Sequence, residues 1–173
     1  TYCIVSGHLI TLHSWLSYQN LLDGPAKSWS LPGDVLSHYS LGRSAVGSVI
    51  PKNTSALTAV SYLLPEASKK LDSFSYRIPT PNVSSATLIV NTESSLKSGD
   101  VNTLLKRYSE NNHLVMKITN EPLISVDYSA EPYSLIIDSR WTTVTGGNSI
   151  KIVYWYDNEW GYVHHLKNII KLL

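Results

Sequence analysis

Six stretches carry apolar residues in alternation or in short runs bounded by turn residues: HLITLHSW, FSYRI, ATLIVNT, LVMKITN, SLIIDSR and SIKIVYWY. Each predicts a strand of roughly five to eight residues. Three others repeat their apolar positions at helical spacing: Ala56, Ala59, Val60, Leu63 and Leu64; Val101, Leu104, Leu105 and Tyr108; and Val163, Leu166, Ile169, Ile170 and Leu173. These stripes predict helices that bury one face against a sheet as core.

Punctuation residues set the boundaries. Asn53 or Thr54 is placed to cap the first helix, Pro65 to end it, and Gly99-Asp100 reads as a stop followed by the N-cap of the second. Between Asp23 and Gly42, DGP and LPGD punctuate a stretch with few periodic apolar positions, which reads as a long loop. Strands with interspersed helices, and no regular alternation of the two, predict an α+β domain: a largely antiparallel mixed sheet with helices packed on one face. No Gly-rich turn links a strand to a helix, and Gly146-Gly147 precedes a strand as a hairpin turn would, so these residues encode no dinucleotide fold of their own.

Composition narrows the picture. The 173 residues fit one domain, long enough to bury roughly two thirds of the unfolded surface. With 14 Lys+Arg against 13 Asp+Glu the net charge is +1. No basic stripe is present to neutralise a row of phosphates, which disfavours a nucleic-acid partner. The apolar runs fall well short of the roughly 18 residues that span a bilayer, so no membrane partner is expected. A single cysteine permits no internal disulfide, which suits a cytoplasmic protein.

That cysteine, Cys3, precedes His13 in TYCIVSGHLITLHSW, and a thiol near an imidazole is the raw material of nucleophilic catalysis. If the intervening residues form one strand, however, the two side chains lie roughly 30 Å apart and cannot form a dyad. Cys3 is then a small apolar residue near a chain end. His13 shares a strand face with Thr11, while Ile10 and Leu12 point the other way. On residue type alone it is a hydrogen-bonded structural histidine, as are His8, His38, His113, His164 and His165. No histidine spacing suits zinc with cysteine, and no metal site is expected.

The chain closes with WYDNEWGY at 155–162, preceded in order by LLDGP at 21–25, VIPKNTSALTAV at 49–60, LPE at 64–66, KLD at 70–72, RIPTPNVS at 77–84 and EPLISVDY at 121–128. Across its whole length the sequence thus resembles the C-terminal, catalytic domain of the glyceraldehyde-3-phosphate dehydrogenases. The resemblance implies an α+β domain whose sheet carries the substrate site and much of a tetramer interface. It also implies a cytoplasmic glycolytic oxidoreductase that uses NAD, bound mainly by an N-terminal Rossmann domain absent from this chain. The family's nucleophilic cysteine lies just before IVSGHLITLHSW, upstream of Thr1, so the chain alone is expected to be inactive.

Residue by residue, His13 matches the family's catalytic histidine, which polarises the thiolate and serves as base in hydride transfer. Arg43 and Arg77 match arginines that hold the substrate phosphate and inorganic phosphate, a task suited to a guanidinium fork. Thr54 matches a phosphate-binding threonine at a helix N-terminus, and Ser55 stands where the family has glycine. Asn158 matches the asparagine that fixes the nicotinamide amide, and Tyr162 lies near that ring in the family. Among the remaining residues of the octet, the aromatics read as core, and Asp157 and Glu159 as structural. The expected partners are a phosphorylated aldose, inorganic phosphate and further copies of the chain.

The sequence also departs from the family. His13-Ser14-Trp15-Leu16 replaces the usual His-Ala-Tyr-Thr, and Leu16 cannot donate the phosphate hydrogen bond of that threonine. Ser55 crowds a backbone approach that glycine leaves open. The stretch from Ala26 to Gly42 is roughly ten residues longer than is usual, an insertion a loop tolerates cheaply. The related erythrose-4-phosphate dehydrogenases share the His-Ser pair, so that substrate remains an alternative, as does a relative that keeps the sheet for assembly and has lost the chemistry.

Overall fold

The computed structural model describes all residues except Thr1, Tyr2, Tyr18, Ala26, Pro32, Gly33, His38 and Leu172. In chain order the strands are β1 (Ile4–His13), β2 (Lys27–Leu31), β3 (Asp34–Ser37), β4 (Ile50–Lys52), β5 (Leu71–Arg77), β6 (Ser84–Thr92), β7 (Met116–Thr119), β8 (Leu135–Asp138), β9 (Thr143–Thr145) and β10 (Ser149–Tyr156). The helices are α1 (Ala56–Leu63), α2 (Pro65–Ser68), α3 (Ser98–Asn111) and α4 (Trp160–Ile170). Every strand expected from the pattern is present. None of these helices is long and apolar enough to cross a membrane.

Eight strands form one mixed sheet in the order β4-β5-β1-β6-β10-β8-β7, with β9 hydrogen-bonded to β10 beside this path. β1 pairs parallel with β5 and β7 parallel with β8, and the other pairings are antiparallel. The fold is the α+β class expected, and β1 lies near its middle. Val90, Val101 and Ile150 form a core in which α3 covers one face of the sheet, extended by Leu71, Leu88, Leu105 and Ile152. On the opposite face Val83, Tyr128 and Ile136 form a second cluster with Leu123, Tyr133 and Trp155. There the Tyr128 and Trp155 rings stack 5.2 Å apart.

The structure corrects several expectations. The long loop contains an antiparallel hairpin of β2 and β3, whose few apolar residues lie among the turn signals DGP and LPGD that read as loop. Ala26, Pro32, Gly33 and His38, which belong to that stretch, lie outside the described residues. Pro65 does end α1, but it also opens α2, where its missing N–H costs nothing. Ser55 occupies the N-cap of α1 in place of Asn53 or Thr54. Gly99 and Asp100 sit inside the first turn of α3, where the Asp100 carboxylate accepts the Lys97 N–H at 3.1 Å. Gly146 and Gly147 do form the β9–β10 turn, with φ of 61° and 80°.

Two of the three apolar stripes are not core. α1 buries none of its residues, and of α4 only Gly161 is buried, while Leu63 is 83% and Ile170 62% exposed. Amphipathic spacing shows that a face is apolar, but not that this chain supplies the surface to cover it. Trp160, expected in the core, is likewise exposed.

Candidate functional site

The residues singled out by sequence converge where the central strands end. Residues opposite one another on neighbouring strands share a face of the sheet. One row runs from Ile50 through Arg77 to His13 across β4, β5 and β1. It continues with Ser84 opposite Tyr156 on β6 and β10. A contact of 3.2 Å between Ser84 Oγ and His13 Nδ1 joins the two halves. The next row on the same face holds Lys52, Ser75, Thr11, Ala86 and Tyr154. The polar strip inferred from Thr11 and His13 is therefore real, and the Thr11 hydroxyl donates to Ser75 Oγ at 3.0 Å within it.

Backbone hydrogen bonds fix where the imidazole stands. Past the strand ends, the Ile78 N–H donates to His13 O at 2.8 Å and the Trp15 N–H to Thr80 O at 3.2 Å. Arg77 Nη1 donates to Ser14 O at 2.9 Å, which holds the guanidinium beside the ring. The Tyr156 ring meets His13 edge-on at 6.1 Å. Burial, then the positive charges of Arg77 and Lys52, pulls the His13 pKa down to about 4. The half-buried imidazole is thus neutral near pH 7. Partial burial and Arg77 also hold Lys52 below the ordinary lysine range. Burial and Tyr154 push Tyr156 up to about 12, so its phenol keeps its proton.

Ser84 has no exposed surface, and its hydroxyl accepts a hydrogen bond from Asn158 Nδ2 at 2.8 Å. It therefore links Asn158, beyond β10, to His13 at the end of β1. Asp157 braces this arrangement. Its Oδ2 accepts from Asn82 Nδ2 at 2.9 Å and from the Ala130 N–H at 3.0 Å, and its Oδ1 accepts from the Glu159 and Trp160 N–H groups. These bonds, after opposing burial, keep the carboxyl below its usual range. The brace supports a strained entry into β6, where Val83 holds φ at 64°, a left-handed conformation costly for a β-branched residue.

The other predicted residues fall around this centre. Thr54 lies two residues beyond Lys52, and its Oγ1 accepts the Ala56 N–H at 3.3 Å at the start of α1. Ser55 holds the N-cap without a side-chain bond to the helix. Tyr162 is exposed in the first turn of α4. Arg43 is not gathered in: its exposed Nε lies 3.5 Å from Asp23 Oδ1, which also accepts the Ser44 N–H. Cys3 is exposed just before β1, at the end remote from His13, so the two form no dyad. Sequence reasoning missed Ser84 and Lys52. Their signal is the strand register, which brings residue 84 to residue 13.

The glyceraldehyde 3-phosphate dehydrogenase C-terminal domain family matches residues 1–158, a span that holds every one of these site residues except Tyr162. The chain belongs to this family. It is similar to glyceraldehyde-3-phosphate dehydrogenase 2 of Staphylococcus aureus strain MRSA252, with 34% identity over 166 residues that cover 96% of this chain and 45% of that protein. The protein of the same name from Staphylococcus epidermidis strain ATCC 12228 is 35% identical over the same coverage. Both relatives carry the name of an oxidoreductase. This glyceraldehyde-3-phosphate dehydrogenase domain thus spans a little under half the length of the curated relatives it matches.

Proposed function

We propose that the chain is the catalytic half of an NAD-dependent, phosphorylating aldehyde dehydrogenase that converts glyceraldehyde 3-phosphate to 1,3-bisphosphoglycerate in cytoplasmic glycolysis. The observation that carries this reading is a neutral imidazole held between a guanidinium and a buried serine, in a domain of the matching family. With Nδ1 turned to Ser84, Nε2 is the nitrogen that faces a reactant. With Nδ1–H donating its hydrogen bond to Ser84 Oγ, Nε2 presents a lone pair and accepts the hydroxyl proton of the covalent adduct as hydride leaves its carbon. In this reading the nucleophilic thiol belongs to residues that precede IVSGHLITLHSW in the family, and the chain alone is expected to turn over no aldehyde.

Arg77 and Thr54 are assigned to phosphoryl oxygens, and Ser55 lies beside them. Arg43 joins only by exchanging Asp23 for an anion. Asn158 fits the amide of a nicotinamide: its Nδ2 is engaged by Ser84, which leaves Oδ1 to accept an amide N–H. The exposed ring of Tyr162 lies on the helix that follows. NAD, when bound, supplies the hydride acceptor, and this chain's part is to orient its ring through Asn158. Half-buried Ile10, Phe74 and Val153, on the sheet face opposite His13, support assembly into a homo-oligomer, a tetramer in this reading.

The test uses the full-length protein that contains this chain. His13→Asn is expected to lower kcat for NAD-dependent oxidation of glyceraldehyde 3-phosphate by about 10²–10⁴-fold. Unchanged turnover refutes the base, and no turnover in the unmutated protein favours a relative that keeps the sheet for assembly alone.

A further inference from the structure

Lys52 is an exposed cation whose charge no acid among the described residues neutralises. Strand register places it on the His13 face of the sheet, one step along from the Ile50–Arg77 pair and opposite Ser75. Its neighbours there are the guanidinium of Arg77 and the imidazole of His13, both coupled to it by charge. Among the described residues no carboxylate lies within ion-pair distance of Lys52 or Arg77. The groups that face His13 are Arg77 from β5, Lys52 from β4 and the uncharged phenol of Tyr156 from β10. Here two cations and a histidine converge at a strand end that holds no acid, which is the electrostatic complement of a dianion.

We propose that Lys52 is a phosphate ligand, forming with Arg77 a two-cation cradle on the His13 face for the phosphoryl group of the substrate or for inorganic phosphate. The inference rests on the function proposed above and adds to it a cation where the sequence lost donors, at Leu16. Because Leu16 removes a hydroxyl and Ser55 crowds the backbone, anion affinity at this site shifts from neutral donors toward charge. A bound dianion also cancels the two positive charges that disfavour protonation of His13. Phosphate binding therefore makes the imidazole a stronger base at the moment a substrate is present.

The experiment follows the isotopically labelled chain by NMR while inorganic phosphate, and separately glycerol 3-phosphate, is added at constant ionic strength made up with chloride. Lys52→Met is expected to weaken binding about tenfold or more in at least one arm, with Lys52→Arg within about threefold of the parent. The arm that weakens identifies the source: the ester alone assigns the substrate phosphoryl, inorganic phosphate alone the attacking anion. In the absence of phosphate, Lys52→Met raises the His13 titration midpoint. Saturating phosphate raises it in the parent chain and less so in the variant. A Lys52→Met chain that binds both ligands as tightly as the parent, while Arg77→Met weakens them, overturns the role of Lys52 and leaves the proposed function standing. If the folded parent binds neither ligand and shows no shifts at Arg77 or Thr54, the phosphate reading of the whole site falls. Lys52→Arg keeps the charge, so it separates lost binding from lost folding.

Discussion

At the Gly7 end of the central strands, Leu71, Val90 and Ile150 lie side by side under Val101 and Leu105 of α3; at the other end of the same face stand Arg77, His13, Ser84 and Tyr156. The two groups are connected by the same four strands. What separates them is the reach of α3, which covers the first group and leaves the second open. Where the helix lies, each apolar side chain removed from water stabilises the domain by about 1.5–3 kcal/mol. Where it does not, polar and charged side chains keep their access to ligands, and hydrogen bonds across strand ends replace packing as the source of order. One sheet thus divides its labour along the strand direction: rigidity at one end and chemistry at the other.

The packed end is expected to break first and hardest. A Cβ added at Gly7 would lie 2.5 Å from the Ile89 backbone oxygen and 2.7 Å from Leu71 Cδ2. Gly7→Ala therefore forces two central strands apart and should destabilise the domain by about 3 kcal/mol or more. Urea unfolding monitored by circular dichroism checks this. A loss below about 0.5 kcal/mol would show that the close approach is not enforced, and that the packed end is no more rigid than the open one.

The open end should respond in function before stability. Ser84→Ala removes the hydroxyl that joins Asn158 to His13 and leaves the Asn158 amide and one ring nitrogen unpaired. The expected cost is about 1–2 kcal/mol in stability and about tenfold in kcat of the full-length protein, with the pH profile of kcat displaced. Ser84→Thr keeps the hydroxyl and should recover much of the rate. A drop in stability with an unchanged profile in Ser84→Ala would reduce Ser84 to packing.

How much of this was legible before the fold was known depends on whether the signal is local. Six of the eight strands of the sheet were legible because alternation and short apolar runs are properties of neighbouring residues, whereas the three-residue β4 and β9 carry no such pattern. The β2–β3 hairpin was not, since its few apolar residues sit among turn residues that mark a loop. His13, Arg77, Thr54 and Asn158 were singled out because each lies in a stretch shared with the family. Ser84 and Lys52 lie in shared stretches too, but their roles follow from strand register, which pairs residues 71 positions apart at Ser84 and His13. The apolar stripes of α1 and α4 mark faces without marking what covers them, and the structure leaves both exposed.

The smallest expected effect is the pH dependence of stability at the open end, and its pH window, not its sign, separates His13 from the hydrogen-bonded carboxylates elsewhere in the domain. His13 has a lower pKa in the fold, about 4, than the ordinary histidine value of 6.5. Between those two values the unfolded chain binds more protons than the folded one, so stability rises with pH across this window and its contribution is complete above it. On acidification the contribution is lost progressively as pH falls toward 4. For a half-buried ring, solvent screening limits the loss to about 1 kcal/mol. Asp138 and Asp157, both with lowered pKa values, contribute stability that is present above the ordinary carboxylate range and lost only at lower pH. Chemical unfolding at a series of pH values in chloride buffer should therefore show two legs, and His13→Gln should flatten the upper one alone. An unaltered upper leg in that variant would mean that the imidazole titrates as freely in the fold as in water. The contrast between a dry, packed end and a charged, open one would then lose its electrostatic half.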